Sequence, residues 1–162
     1  MQDIYTLADL TRVTGVKRRT VQLWAEAGAI EALVESEHAG TGVHRKFYRE
    51  EAIVACILAP LSRLKVSIGK LVEFGEALRD IVWDQEYSPR LEACIAGKTG
   101  MFLFCSVPFS EEEGMEVWIS EPEEKDEAAE IIQMLGHDLF FKPAHRSVTL
   151  TFGLHDWLMP LR

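Results

Sequence analysis

Val16-Lys-Arg-Arg-Thr-Val-Gln-Leu-Trp-Ala-Glu-Ala-Gly28 reads as one short helix with a basic, exposed opening turn, set between Gly15 and Gly28. Upstream, Thr6-Leu-Ala-Asp-Leu-Thr-Arg-Val-Thr-Gly15 supplies another. Thr6 is its candidate N-cap, Asp9 sits at the capping-box position, and Leu7, Leu10 and Val13 recur at helical spacing. Two short helices around a glycine turn suggest a helix-turn-helix, in which the second helix enters the DNA major groove and the first braces it. Val16, Val21 and Leu23 are expected to face inward. Lys17, Arg18, Arg19, Thr20 and Gln22 are then left for DNA: charged donors for phosphate and guanine, an amide for adenine, a hydroxyl for either. A basic helix is also the usual composition of a solvated face, so the pattern needs support from the rest of the chain.

The chain's 162 residues are 48% apolar with no low-complexity tract, enough for one ordinary globular domain or two small ones. No apolar run approaches the roughly 20 residues of a membrane span and no signal-peptide pattern opens the chain, so a cytoplasmic protein with no membrane contact is expected. Cys56, Cys94 and Cys105 are odd in number, widely spaced and set among apolar residues. That argues for small core residues in a reducing compartment, against a disulfide framework or zinc site.

A net charge of −9 at first argues against nucleic acid. Its distribution reverses that impression. Residues 1–80 hold eleven Lys/Arg and eleven Asp/Glu, whereas residues 81–162 hold six and fifteen, so the whole excess lies in the second half. An acidic half repels DNA and cannot be a docking face, but it can help keep the other end toward a duplex.

After Gly28, Ala29-Ile-Glu-Ala-Leu-Val-Glu-Ser36 reads as an extended segment, Glu37-His-Ala-Gly-Thr-Gly42 as a hairpin tip, and Val43-His-Arg-Lys-Phe-Tyr48 as a return strand. A two-stranded ribbon over 32–48, with His44, Arg45 and Lys46 beside its tip, looks like a wing whose cations meet the DNA backbone. Phe47 and Tyr48 are expected to pack the hairpin onto the next helix. Arg49 to Leu64 carries an apolar stripe of Ile53, Cys56, Ile57, Leu61 and Leu64, with Pro60 expected to kink the helix or end it early. Ser67 is the candidate N-cap of a helix over 68–79, with Ile68, Leu71, Val72 and Leu78 on its buried face.

Five pieces in this order and spacing carry a resemblance: Tyr5-Thr-Leu-Ala-Asp-Leu10, Thr14-Gly-Val-Lys-Arg-Arg-Thr-Val-Gln-Leu-Trp24, Gly28-Ala-Ile30, Arg45-Lys-Phe-Tyr48 and Val66-Ser-Ile-Gly-Lys-Leu71. Over about half its length, roughly residues 4–80, the chain resembles the winged helix-turn-helix domain of the MerR family of bacterial transcription regulators. The likeness implies base and phosphate contacts for Lys17, Arg18, Thr20 and Gln22, and a backbone-holding role for Arg45. Two departures matter. Gln22 and Trp24 stand where the family usually has arginine and tyrosine, and either Arg18 or Arg19 is left to compensate. Trp24 is expected either to reach a phosphate through its indole N–H or to brace the two helices as a packed side chain. Family members also continue into a long helix that pairs as an antiparallel coiled coil, whereas here Asp80-Ile-Val-Trp-Asp-Gln-Glu-Tyr-Ser-Pro89 soon reaches a proline and no heptad register follows.

Beyond a linker or helix end over 81–87, Ser88 and Pro89 fit N-cap and N1 of a helix to Ile95. Strands are expected over 101–107, 115–119, 139–141 and 147–152, with a helix over 121–135, a pattern that reads as a small α/β domain over 88–162 for dimerisation or sensing. His137, Asp138, His145, His155 and Asp156 show neither a metal-helix spacing nor a nucleophile motif, so no catalytic residue, metal or cofactor is expected. Phe102, Phe104, Trp118 and Trp157 read as core. The expectation is an α+β, non-enzymatic, homodimeric DNA-binding regulator, with repression slightly favoured over activation and an RNA polymerase or other protein contact open. In it, helix 17–27 reads the groove and wing 32–48 the backbone. Two alternatives remain: an adaptor that binds protein through its acidic half, and a phage-type excisionase or architectural DNA-bending factor.

Overall fold

A computed structural model describes residues 3–37, 44–108, 116–120 and 147–161. It opens with a strand, β1 (Ile4–Thr6), followed by α1 (Leu7–Thr14) and α2 (Arg18–Ala27). α1 starts where expected, because the Thr6 hydroxyl accepts from Asp9 N–H at 3.2 Å while Thr6 N–H donates to the Asp9 carboxylate at 3.0 Å. It stops at Gly15, whose φ of 64° is left-handed and whose N–H returns to the Thr11 carbonyl. Gly28, at φ 85°, ends α2 in the same way.

Lys17 is the N-cap of α2, so the helix begins one residue later than the expected 17–27. Its buried stripe is Val21 and Trp24. Leu23, expected inside, is 44% exposed. At about 100° per residue it lies a quarter-turn or more from the direction shared by Val21, Trp24 and the helix end.

The ribbon expected over 32–48 does not form among the described residues. Val34–Glu37 is instead one helical turn, α3, and the return strand β2 (Lys46–Tyr48) pairs antiparallel with β1, Tyr5 opposite Phe47. Ser36 accounts for the difference. Its hydroxyl donates to the Leu33 carbonyl and accepts the Lys46 N–H at 2.9 Å, so that beside the single backbone bond from Leu33 N–H to the Lys46 carbonyl a side chain takes the next rung. The expected tip, with Gly40 and Gly42, lies outside the described residues. Phe47 is fully buried, in agreement with its expected packing role.

The centre of the molecule is α4 (Arg49–Arg63). Rather than a single stripe it buries every residue from Glu51 to Ala59, and Leu61 as well, while Leu64 past its end is 68% exposed. A helix buried on all sides must be surrounded by other elements. Here α1, α5 (Ile68–Val82), β2 and the C-terminal helix all pack on it. Pro60 does not stop α4, which runs three residues further to Arg63. Ser67 caps α5 as expected, and Leu71, Phe74, Gly75 and Leu78 form its buried face, with Ile68 at 37% exposure outside it. Gly75 sits so close to Ala29 that a Cβ there would lie 2.1 Å from the Ala29 carbonyl oxygen. Only glycine allows that approach.

The next helix, α6 (Tyr87–Ile95), is not capped by Ser88. Glu86 holds the N-cap position, the Asp84 carboxylate accepts the N–H groups of Glu86 and Tyr87, and Pro89 falls in the first turn, where a missing N–H is tolerated. Strands β3 (Phe102–Pro108), β4 (Glu116–Ser120) and β5 (Ser147–Gly153) form an antiparallel sheet in the order β4-β3-β5. The expected 121–135 helix and 139–141 strand lie outside the described residues. Helix α7 (His155–Leu158) and a 3₁₀ turn (Met159–Leu161) follow, and their Leu158 and Leu161 join Leu10 and Cys56 in one buried cluster. The chain is thus α+β. Among the described residues, no helix is long and apolar enough to cross a membrane.

Candidate nucleic-acid interface

Two arginines from the central helices hold the α1–α2 unit at its ends. Arg63 of α4 donates to the Thr14 carbonyl at 3.0 Å, where α1 stops. Arg79 of α5 donates to the Gly28 carbonyl at 2.8 Å, where α2 stops. Each guanidinium satisfies a carbonyl that a helix end leaves without an intrahelical partner. The turn between the helices is therefore fixed from behind, and the start of α2 is left to project.

At that start Lys17, Arg18 and Arg19 are all exposed, and none takes part in a salt bridge or a side-chain hydrogen bond among the described residues. α2 carries no acid in its first turn and no side-chain cap at Lys17. Three cations thus stand at the positive end of a helix dipole beside N–H groups without a side-chain cap, an arrangement unfavourable to the helix end. Thr20 is half-buried. Gln22, one turn on, donates its amide to the Glu26 carboxylate at 2.8 Å.

His44 and Lys46 are exposed on the approach to and start of β2, while Arg45 is half-buried. All three likewise lack an ion-pair or hydrogen-bond partner for their side chains among the described residues. Arg45 shares a hollow of about 450 Å³ with Ala25, Glu26 and Gly28, which brings the 44–46 segment alongside the last turn of α2. A comparison with protein-family models and with curated proteins finds no match to this chain.

Trp24 must be removed from the candidate contacts. At 1% exposure it is a core side chain whose indole has no route to an outside ligand. Its place on the outward face is taken by Leu23 and Glu26. The i, i+3 spacing of Val21 and Trp24, continued by Gly28, was the signal that locates the buried stripe and turns Leu23 outward.

Among the described residues no group of three His, Cys, Asp or Glu side chains converges to hold a metal. Burial pushes the Cys56 thiol up to about 12, which leaves it a neutral core group at physiological pH. His137, Asp138 and His145 lie outside the described residues, and Asp156 is exposed on α7.

Proposed function

We propose that the protein is a sequence-specific, double-stranded DNA-binding transcription regulator, built on a MerR-like winged helix-turn-helix. In this reading α2 lies in the major groove, Arg18, Arg19 and Gln22 reach base edges, and Lys17, His44, Arg45 and Lys46 meet phosphates. The observation that carries it is the division of labour among the cations of residues 1–80. Arg12, Arg49, Lys70 and Arg79 are committed to carboxylates and Arg63 to a backbone carbonyl. Apart from Lys65, the uncommitted lysines and arginines all belong to the start of α2 or to the 44–46 segment. A merely solvated helix would gain from acids near its N-terminus, and this one has none.

The regulator acts as a homodimer on a two-fold site, because one reading head of this size supplies too little affinity alone. Since α5 ends at Val82, the long pairing helix of the family is not available there, and repression by occupancy is favoured over promoter distortion.

Selection of bound duplexes from a random pool by the full chain tests the reading. An enriched inverted repeat is expected, with log-affinity falling against log-salt by about 2 to 5 per subunit, set by the phosphate-facing cations. Absence of salt-dependent retention on every duplex would refute it.

A further inference from the structure

A second hollow, of about 350 Å³, lies between the 31–35 segment, the end of β2 and the C-cap of α5. Trp83 and Tyr48 supply its aromatic wall. Their rings meet edge to face at 88°, with centroids 5.7 Å apart, and Trp83 remains 46% exposed. An indole braced by a neighbouring ring and still open to solvent is a preformed apolar contact surface.

The charge of this hollow has one sign. Glu31, Glu35 and Glu51 line it, and among the described residues no lysine or arginine does. Arg79 stands behind them, 3.4 Å from Glu31 and 3.0 Å from Glu51, and so offsets one of the three carboxylates. Glu35 has no ion-pair partner among the described residues and is exposed. Beside them the wall is apolar: Ala32, Leu33 and Val34, the last 84% exposed.

We infer that this hollow binds a small organic monocation, an alkyl- or arylammonium whose nitrogen rests against the Trp83 indole and whose charge is answered by Glu35, with Glu31, already shared with Arg79, beside it. A π face attracts a cation whose charge is spread over carbon substituents, and the carboxylate excess left after Arg79 is counted adds Coulomb attraction. A bare metal ion gains nothing from the aromatic wall, an anion is repelled, and the volume is that of a small molecule rather than a peptide segment. The inference does not rest on DNA binding: Arg45 lines the neighbouring hollow, which shares Glu31, Ala32 and Val34 with this one, but none of the cations assigned to DNA lines this one.

Choline and its uncharged carbon isostere, 3,3-dimethyl-1-butanol, separate the charge from the shape. Ligand-observed NMR titration of the full chain is expected to give saturable, millimolar-range choline binding, with the alcohol weaker by about fivefold or more. Trp83→Leu abolishes it and Trp83→Phe retains part of it. Glu35→Gln, at an exposed position that folding tolerates, weakens choline by about two- to threefold and leaves the alcohol unchanged. Equal affinity for the two ligands, full choline affinity in folded Trp83→Leu, or no saturable binding to the unaltered protein would each overturn the assignment.

Discussion

The Arg79 guanidinium donates to the Gly28 carbonyl at 2.8 Å, and its Nε meets the Glu51 carboxylate at 3.0 Å. A side chain near the end of α5 thereby fixes the last turn of α2. Glu51 also accepts the Glu31 N–H at 2.8 Å, so a nearly buried ion pair organises the chain where it leaves the helix. Arg79→Ala leaves that carboxylate, only 3% exposed, without its cation. The expected loss is about 3–5 kcal/mol of unfolding free energy, read from the urea midpoint at unchanged slope.

The packing of α5 on Ala29 predicts opposite outcomes for two glycines of one helix. Gly75→Ala forces a Cβ to 2.1 Å from a backbone oxygen and is expected to cost about 1–3 kcal/mol or more as the helices separate. Gly69→Ala meets nothing within 4 Å and is expected to stabilise the protein by up to about 1 kcal/mol, since alanine loses less backbone freedom in a helix. Thermal unfolding of the two variants checks both signs.

If α2 reads bases, the cations divide by role. Arg18→Ala or Arg19→Ala is expected to relax preference at one base position at a cost of about 1–3 kcal/mol, whereas Arg45→Ala weakens all sequences alike and lowers the salt slope by about 1. Competition binding across a panel of single-base operator variants distinguishes the two patterns. Loss of preference in Arg45→Ala would reverse the assignment of faces.

Leu23 stands outward between Arg19 and Glu26, an apolar group on an otherwise polar helix face. The only apolar group on a base edge in the major groove is the thymine methyl. Replacing thymine by deoxyuridine at one operator position is therefore expected to weaken the unaltered protein about three- to tenfold and Leu23→Ala hardly at all. Identical ratios for both proteins at every thymine would assign Leu23 to plain solvent exposure.

Two carboxyls give stability opposite slopes with pH. Thr6, through its hydroxyl and then its N–H, holds Asp9 below its ordinary 3.8, so the folded protein keeps that group ionised where the unfolded chain takes up a proton. The cap's contribution is fully present above that ordinary value and is lost as pH falls through the depressed one. Burial pushes Glu51 above its ordinary 4.5, so its contribution is greatest in acid and fades as pH rises from there. The stability gap between the unaltered protein and Asp9→Ala is expected to be constant from about pH 7 to 5 and to close below about pH 4. A gap that widened in acid would contradict the capping role.

Much of the local structure was legible because short-range chemistry settles it. The Thr6–Asp9 capping box, Gly15 and Gly28 past their helices, Ser67 before α5 and the strand character of 102–107 all follow from residues a few positions apart. The partner of β2 did not follow. Three-residue β1 carries no periodic signal, and Ser36, bonded back to Leu33, offered a local turn in place of the extended segment read over 29–36. Leu23 was misplaced because a ten-residue helix contains too few apolar positions to show its stripe once Trp24 is read as a contact residue.

The amino-acid order alone determined which residues start and stop the helices, which cations gather at 17–19 and 44–46, and where the acidic excess lies, because caps, turns and charge depend on neighbours in the chain. Only the tertiary structure decided which of those cations are left unneutralised, that Trp24 is core and Leu23 is surface, and that Trp83 lines an acidic hollow. Those properties are set by α4, α5 and β2 closing from far along the chain, as in the 51-residue separation of Arg79 and Gly28, and burial is a relation between such segments rather than a property of any one.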